Sequence, residues 1–144
     1  MASSQLPIII IGAGISGLLL AQHLLTHSPP IPFLIYERSP ALTSRGVGWG
    51  LTLHWSLLAL RQLLPAEILQ RIPETYVDRK SVEAGRASTF PFFDLSTGEE
   101  VARTPVVGEG GRVRVGREGF RGLIAAGVDV QVCGMVNWEG ELRD

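Results

Sequence analysis

Apolar and polar positions change period several times along the chain, and each change marks an element. Ile8, Ile9, Ile10 and Ile11 form an unbroken β-branched run, the pattern of a central strand covered on both faces in a parallel sheet. Gly12, Gly14 and Gly17 follow at once, and Leu18 to Leu25 carries the dense apolar pattern of a helix. Pro29 and Pro30 break that helix, and Ile31 to Tyr36 predicts a second strand ending at Glu37. Leu51 to Leu64 reads as a packed helix stopped by Pro65, and Glu67 to Arg71 as a short one before Pro73. From about Ser81 the pattern turns to β. Ser88 to Asp94 and Glu100 to Arg103 flank Ser96-Thr97-Gly98, a polar loop suited to closing a hairpin. The opening of a hairpin over Trp138 to Asp144 completes the pattern.

The first βαβ unit carries chemistry. Gly12 permits the tight turn, Gly14 removes the side chain that would hold the backbone away from a pyrophosphate, and Gly17 lets the helix pack close to the strand. Phosphates would sit at the start of that helix, where backbone N–H groups have no partner within it and the dipole end is positive. Glu37 lies 20 residues beyond Gly17, where the dinucleotide motif places an acid to accept hydrogen bonds from the two ribose hydroxyls. Its carboxylate would repel a 2′-phosphate, which favours NAD or FAD over NADP in this site. Ser16 fits as a small residue of the phosphate turn.

Four segments taken together resemble the FAD-dependent aromatic hydroxylases, the single-component flavin monooxygenases of the salicylate and para-hydroxybenzoate hydroxylase type. They are Gly12 to Leu18, Glu37-Arg38-Ser39, Arg45 to Leu51, and Val113 to Ile124. The resemblance implies an α/β fold, a Rossmann-like FAD-binding βαβ domain with a partial β excursion from the substrate-side sheet. It assigns the adenosine ribose to Glu37, the approach to the flavin to Gly48 and Gly50, and the cofactor's pyrophosphate and ribityl region to Arg117. Arg45 would approach the flavin or the substrate entrance. The implied reaction uses NAD(P)H to reduce the flavin and O2 to oxygenate a small organic substrate, aromatic or polyketide-like. On this basis residues 1–80 are the FAD-binding core, 81–112 the β-rich excursion, and 113–144 the return to the core. The resemblance spans only about the first third of a usual family member, and the later Gly-Asp segment of the family has no counterpart in these 144 residues. A non-catalytic nucleotide-binding remnant and an NAD-linked dehydrogenase domain remain open beside the monooxygenase.

Composition alters this picture little. A net charge of −1 with 19% charged residues gives no footprint for nucleic acid, and the apolar runs are too short and broken to span a bilayer. No positive region precedes the first apolar run, so no secretory signal is expected. The single cysteine, Cys133, excludes an internal disulfide, fits a cytoplasmic setting, and is expected as a small core residue. His23, His27 and His54 do not form a metal-ligand pattern, and His23 is expected to be partly exposed on its helix. Arg112, Arg114, Arg117 and Arg121 form a basic patch, for which solvated faces are the ordinary alternative to a cofactor role. Phe90, Phe92 and Phe93 are expected in the core or, less simply, lining an aromatic pocket. No catalytic acid, base or nucleophile triad stands out, so the chemistry would belong to the cofactor.

Overall fold

A computed structural model of the chain describes residues 6–41, 48–84, 91–104, 111–133, 135–136 and 142–143. The first unit is strand β1 (Ile8–Ile11), helix α1 (Ile15–Thr26) and strand β2 (Phe33–Glu37). Strand β3 (Gly50–Leu53) leads into helices α2 (Ser56–Leu63), α3 (Ala66–Arg71) and α4 (Arg79–Glu83), with a 3₁₀ turn at Ile72–Thr75. Strands β4 (Pro91–Phe93), β5 (Glu100–Arg103) and β6 (Val113–Gly116), helix α5 (Arg117–Ile124) and strand β7 (Val130–Val132) follow. Strands β8 (Met135–Val136) and β9 (Leu142–Arg143) form an antiparallel pair.

The parallel sheet has the order β1-β2-β7, with Ile10 opposite Ile35 and Ile35 opposite Val130. Helices α1 and α5 pack against each other, and the core gathers Ile10, Leu18 and Ile35 from the first unit with Val115, Phe120 and Ile124 from the last. Gln22 is the polar member of this contact. Its buried side-chain amide donates to the carbonyls of Ile124 at 2.9 Å and Ala126 at 2.7 Å, satisfying acceptors that the end of α5 would otherwise leave without donors.

Several sequence expectations change. The isoleucine run was expected to be buried on both faces, yet only Ile10 is buried, while Ile9 and Ile11 are 62% and 68% exposed. The cause is that β1 is an edge strand whose inward side chains face the helices, and no described residue covers its other face. The helix expected over Leu51 to Leu64 starts only at Ser56, because Leu51 to Leu53 is drawn into antiparallel pairing with Val113 to Val115. Dense leucine does not distinguish the two outcomes when a distant strand supplies the ladder. The β pattern expected from Ser81 gives way to α4 through Glu83. The β4–β5 hairpin forms as expected, with Gly98 at φ +73° and Asp94 Oδ1 accepting the Ser96 N–H at 2.7 Å. Phe92 and Phe93 lie exposed on it rather than in the core or a pocket, whereas Phe90 lies outside the described residues.

Replacing Gln22 by Ala leaves two carbonyls without their donor and should lower the unfolding free energy by about 1–3 kcal/mol. The measurement is urea denaturation, with the midpoint falling at unchanged slope; an unmoved midpoint would show that water replaces the amide at no cost.

Candidate functional site: a glycine turn, a carboxylate and two arginines

The turn after β1 is shaped by its glycines in different ways. Gly12 sits at φ +98°, a left-handed conformation that L side chains disfavour, and its N–H donates to the Tyr36 carbonyl at 2.7 Å, tying the turn to β2. A Cβ on Gly17 would lie 2.1 Å from the Gly12 carbonyl oxygen, so only glycine allows α1 to start this close to the turn. A Cβ on Gly14 would meet nothing within 4 Å. Gly14 therefore borders open space, and directly beyond it α1 begins without a side-chain cap. Its first N–H groups, which precede the Leu18 N–H to Gly14 carbonyl bond of 3.0 Å, have no acceptor within the helix.

Glu37 ends β2 and reaches back to this turn. Its Oε2 accepts the Ala13 N–H at 2.9 Å, and its Oε1 accepts the Ser39 N–H at 2.8 Å. Arg121 Nη2 lies 3.2 Å from Oε2, with both side chains about nine-tenths buried. Arg121 Nε donates to the Ala13 carbonyl at 2.7 Å. Burial alone would raise the Glu37 pKa, but the Ser39 and Ala13 N–H groups and the Arg121 charge together hold it below the usual glutamate value.

These groups border one cleft of about 520 Å³. Gly12, Gly14, Gly17, Glu37, Arg38 and Arg117 all line it, so the glycine turn, the acid and the helix arginine singled out by sequence share a single space. Ser16 lines it too. Gly48 and Gly50 do not. Gly48 is exposed at φ +87°, and Gly50 is a strand residue on which a Cβ would stand 2.7 Å from Arg114 Nε. Their segment is nonetheless fastened beside the cleft, since the Arg117 N–H donates to the Trp49 carbonyl at 2.8 Å. Arg45 lies outside the described residues.

Two placements differ from the sequence reading. Arg121 is buried and bonded rather than part of a solvated basic face. The signal was its position between Phe120 and Leu123 on the apolar stripe of α5, where an arginine has no place unless it finds acceptors. Cys133, expected in the core, is half-buried and lines the cleft, because its N–H bonds the Glu37 carbonyl at 3.0 Å and carries it past the strand end. His23 is exposed on α1 as expected. Among the described residues there is no cluster of metal-ligating side chains and no helix long and apolar enough to cross a membrane.

Known proteins match most of the length of the chain. A protein of Arthroderma benhamiae named "Probable FAD-dependent monooxygenase" is 48% identical over 133 residues, covering 91% of this chain and 30% of its own. This chain is therefore similar to part of a protein named as an FAD-dependent monooxygenase. FAD-dependent monooxygenase dbaB of Emericella nidulans is 43% identical over 129 residues, covering 89% of this chain and 31% of its own. The crystal structure of CtdE in complex with FAD superposes with a TM-score of 0.57 at 18% identity, over 90% of this chain and 30% of that one. No protein-family model matches. The chain thus spans about three-tenths of the length of these monooxygenases.

Because the Glu37 pKa is depressed on folding, its ionised form adds stability above the unfolded-state value, and that contribution fades as pH falls through the lower folded-state value. Glu37→Gln should therefore melt below wild type at pH 7, by about 1–3 kcal/mol, and the gap should narrow below about pH 4. Thermal melts at the two pH values check this; a gap that stays constant would contradict the bonding described.

Proposed function

We propose that this chain grips the adenosine diphosphate portion of FAD as part of an FAD-dependent monooxygenase. The observation that carries the reading is the single cleft into which Gly14, Glu37 and Arg117 all open. Gly14 offers backbone without a side chain where a pyrophosphate must come close, and the start of α1 supplies N–H donors and a positive dipole end. Arg117 would meet the pyrophosphate or the ribityl chain, a role suited to a guanidinium's paired donors. Glu37 would meet the adenosine ribose. Gly48 and Gly50, bonded beside Arg117 through Trp49, would lie on the flavin side. The residues present fit the cofactor on these grounds.

Bound FAD, reduced by NAD(P)H, supplies the oxygen-activating chemistry that the side chains of this chain lack. The share of this chain is to hold the nucleotide end and fix its orientation. Residues 81–112 would begin the substrate-side sheet, and the substrate is a small organic molecule, aromatic or polyketide-like in this reading.

Calorimetric titration of the 144-residue chain with ADP, FAD and FMN tests the assignment. ADP and FAD should bind within about threefold of each other and FMN at least about tenfold more weakly, since the contacts lie on the adenosine side. Gly14→Val should abolish ADP binding with the circular dichroism spectrum intact. Equal binding of FMN and ADP, or a folded Gly14→Val that binds normally, would refute the cradle.

A further inference from the structure

Four charged side chains border the cleft: Glu37, Arg38, Arg117 and Arg121. The expectation that an acid here repels a phosphate on the ribose treats Glu37 as a free negative charge, which it is not. Its carboxylate accepts the Ala13 and Ser39 N–H groups and takes a further bond from the Ser39 side chain. Arg121 Nη2 stands in an ion pair with Oε2 at 3.2 Å, and both side chains are about nine-tenths buried. Such a pair acts on a ligand as a dipole, whose field falls off faster than that of a lone charge.

The other two guanidinium groups are uncompensated. Among the described residues, neither the Arg38 nor the Arg117 side chain has a hydrogen bond or an ion pair. Arg117 opens α5 and already has a role in the nucleotide reading above. Arg38 has none. It follows Glu37 directly, and the bond from the Ser39 N–H to Glu37 Oε1 folds residues 37–39 into a tight loop with Arg38 at its apex. The Arg38 backbone is thereby held beside the acid, while its side chain is exposed and borders the cleft. A guanidinium carries five donors and no acceptor, and one left unpaired at the ribose end of a nucleotide cleft is suited to an oxyanion.

We infer that Arg38 forms a second anion subsite of the cleft, beside the ribose, which takes a phosphate carried on a ribose hydroxyl. The ligand class is an adenine nucleotide phosphorylated on its ribose as well as at its 5′ position. The inference rests on the nucleotide reading above and extends it: Arg117 serves the 5′ phosphates and Arg38 the ribose phosphate. The Glu37–Arg121 pair leaves the cleft with a surplus of positive charge, so the expected exclusion of a 2′-phosphate is reversed. Arginine suits the task because its planar fork meets two phosphate oxygens at once.

The test is calorimetry of the 144-residue chain with AMP, adenosine 2′,5′-bisphosphate and adenosine 3′,5′-bisphosphate at fixed ionic strength, on wild type, Arg38→Gln and Arg117→Gln. Wild type should bind at least one bisphosphate about tenfold more tightly than AMP, the gain of one charge-assisted contact. The analogue that gains identifies the hydroxyl that faces Arg38. In Arg38→Gln the gain should fall to about twofold or less, with AMP bound within about twofold of wild type. Arg117→Gln should weaken all three ligands by a common factor and keep the gain. The Arg38 side chain is exposed, so its loss spares the fold, which a matching circular dichroism spectrum checks. A wild type that binds AMP but neither bisphosphate more tightly would overturn the inference and leave the nucleotide reading standing. So would a gain that persists in Arg38→Gln, or one that is lost with Arg117 instead. Failure of all three ligands to bind would overturn the nucleotide reading, and the inference with it.

Discussion

A guanidinium buried under a glycine turn is the constraint that joins the two ends of this fold. Arg121 and Ala13 are 108 residues apart, and the bond between them places α5 against the start of α1 at the point where the cleft opens. Gln22 makes the matching contact one layer away, clamping the far end of α5 to α1. Between these two polar bonds lies an apolar contact built on Leu18, Phe120 and Ile124. Packing alone would allow the helices to slide, whereas directional bonds at both ends fix their register. The site inherits its geometry from that register, because Arg117 reaches the cleft from the first turn of the same helix.

The local βαβ signal was legible because each of its parts is dictated by nearby sequence. Glycine at position 12 follows from backbone conformation and at position 17 from a contact that no Cβ could survive. Glu37 follows from the length of one helix and one strand. What the sequence concealed was settled by distant partners. Leu51 to Leu53 became strand because Val113 to Val115 was available to pair with it. A Cβ on Gly50 would meet only the flexible end of the exposed Arg114 side chain, so packing there does not demand glycine. Arg121 was misjudged by counting it with its arginine neighbours, although its place within the apolar stripe of α5 set it apart. The bonds of Glu37 to Ala13 and Ser39 lay beyond any spacing rule, because a motif specifies where an acid stands and not how many of its acceptors are already taken.

The exposed isoleucines belong to the same account. Ile9 and Ile11 share a face with Leu34 and Tyr36 across the β1–β2 register, so the face away from the helices is apolar as well. Parallel sheets usually have both faces covered, and the chain spans about three-tenths of the monooxygenases it matches. Among the described residues that face stays uncovered, while the bonds that shape the cleft all lie among them.

The proposed nucleotide site is therefore testable on this chain. The most direct measurement is a ¹⁵N–¹H spectrum of the labelled chain titrated with ADP, followed amide by amide. The account predicts saturable shifts at Gly12 to Gly17 and at Glu37 to Ser39, with the exposed β4–β5 hairpin unmoved. Shifts centred on another surface, or none at millimolar ADP, would contradict it.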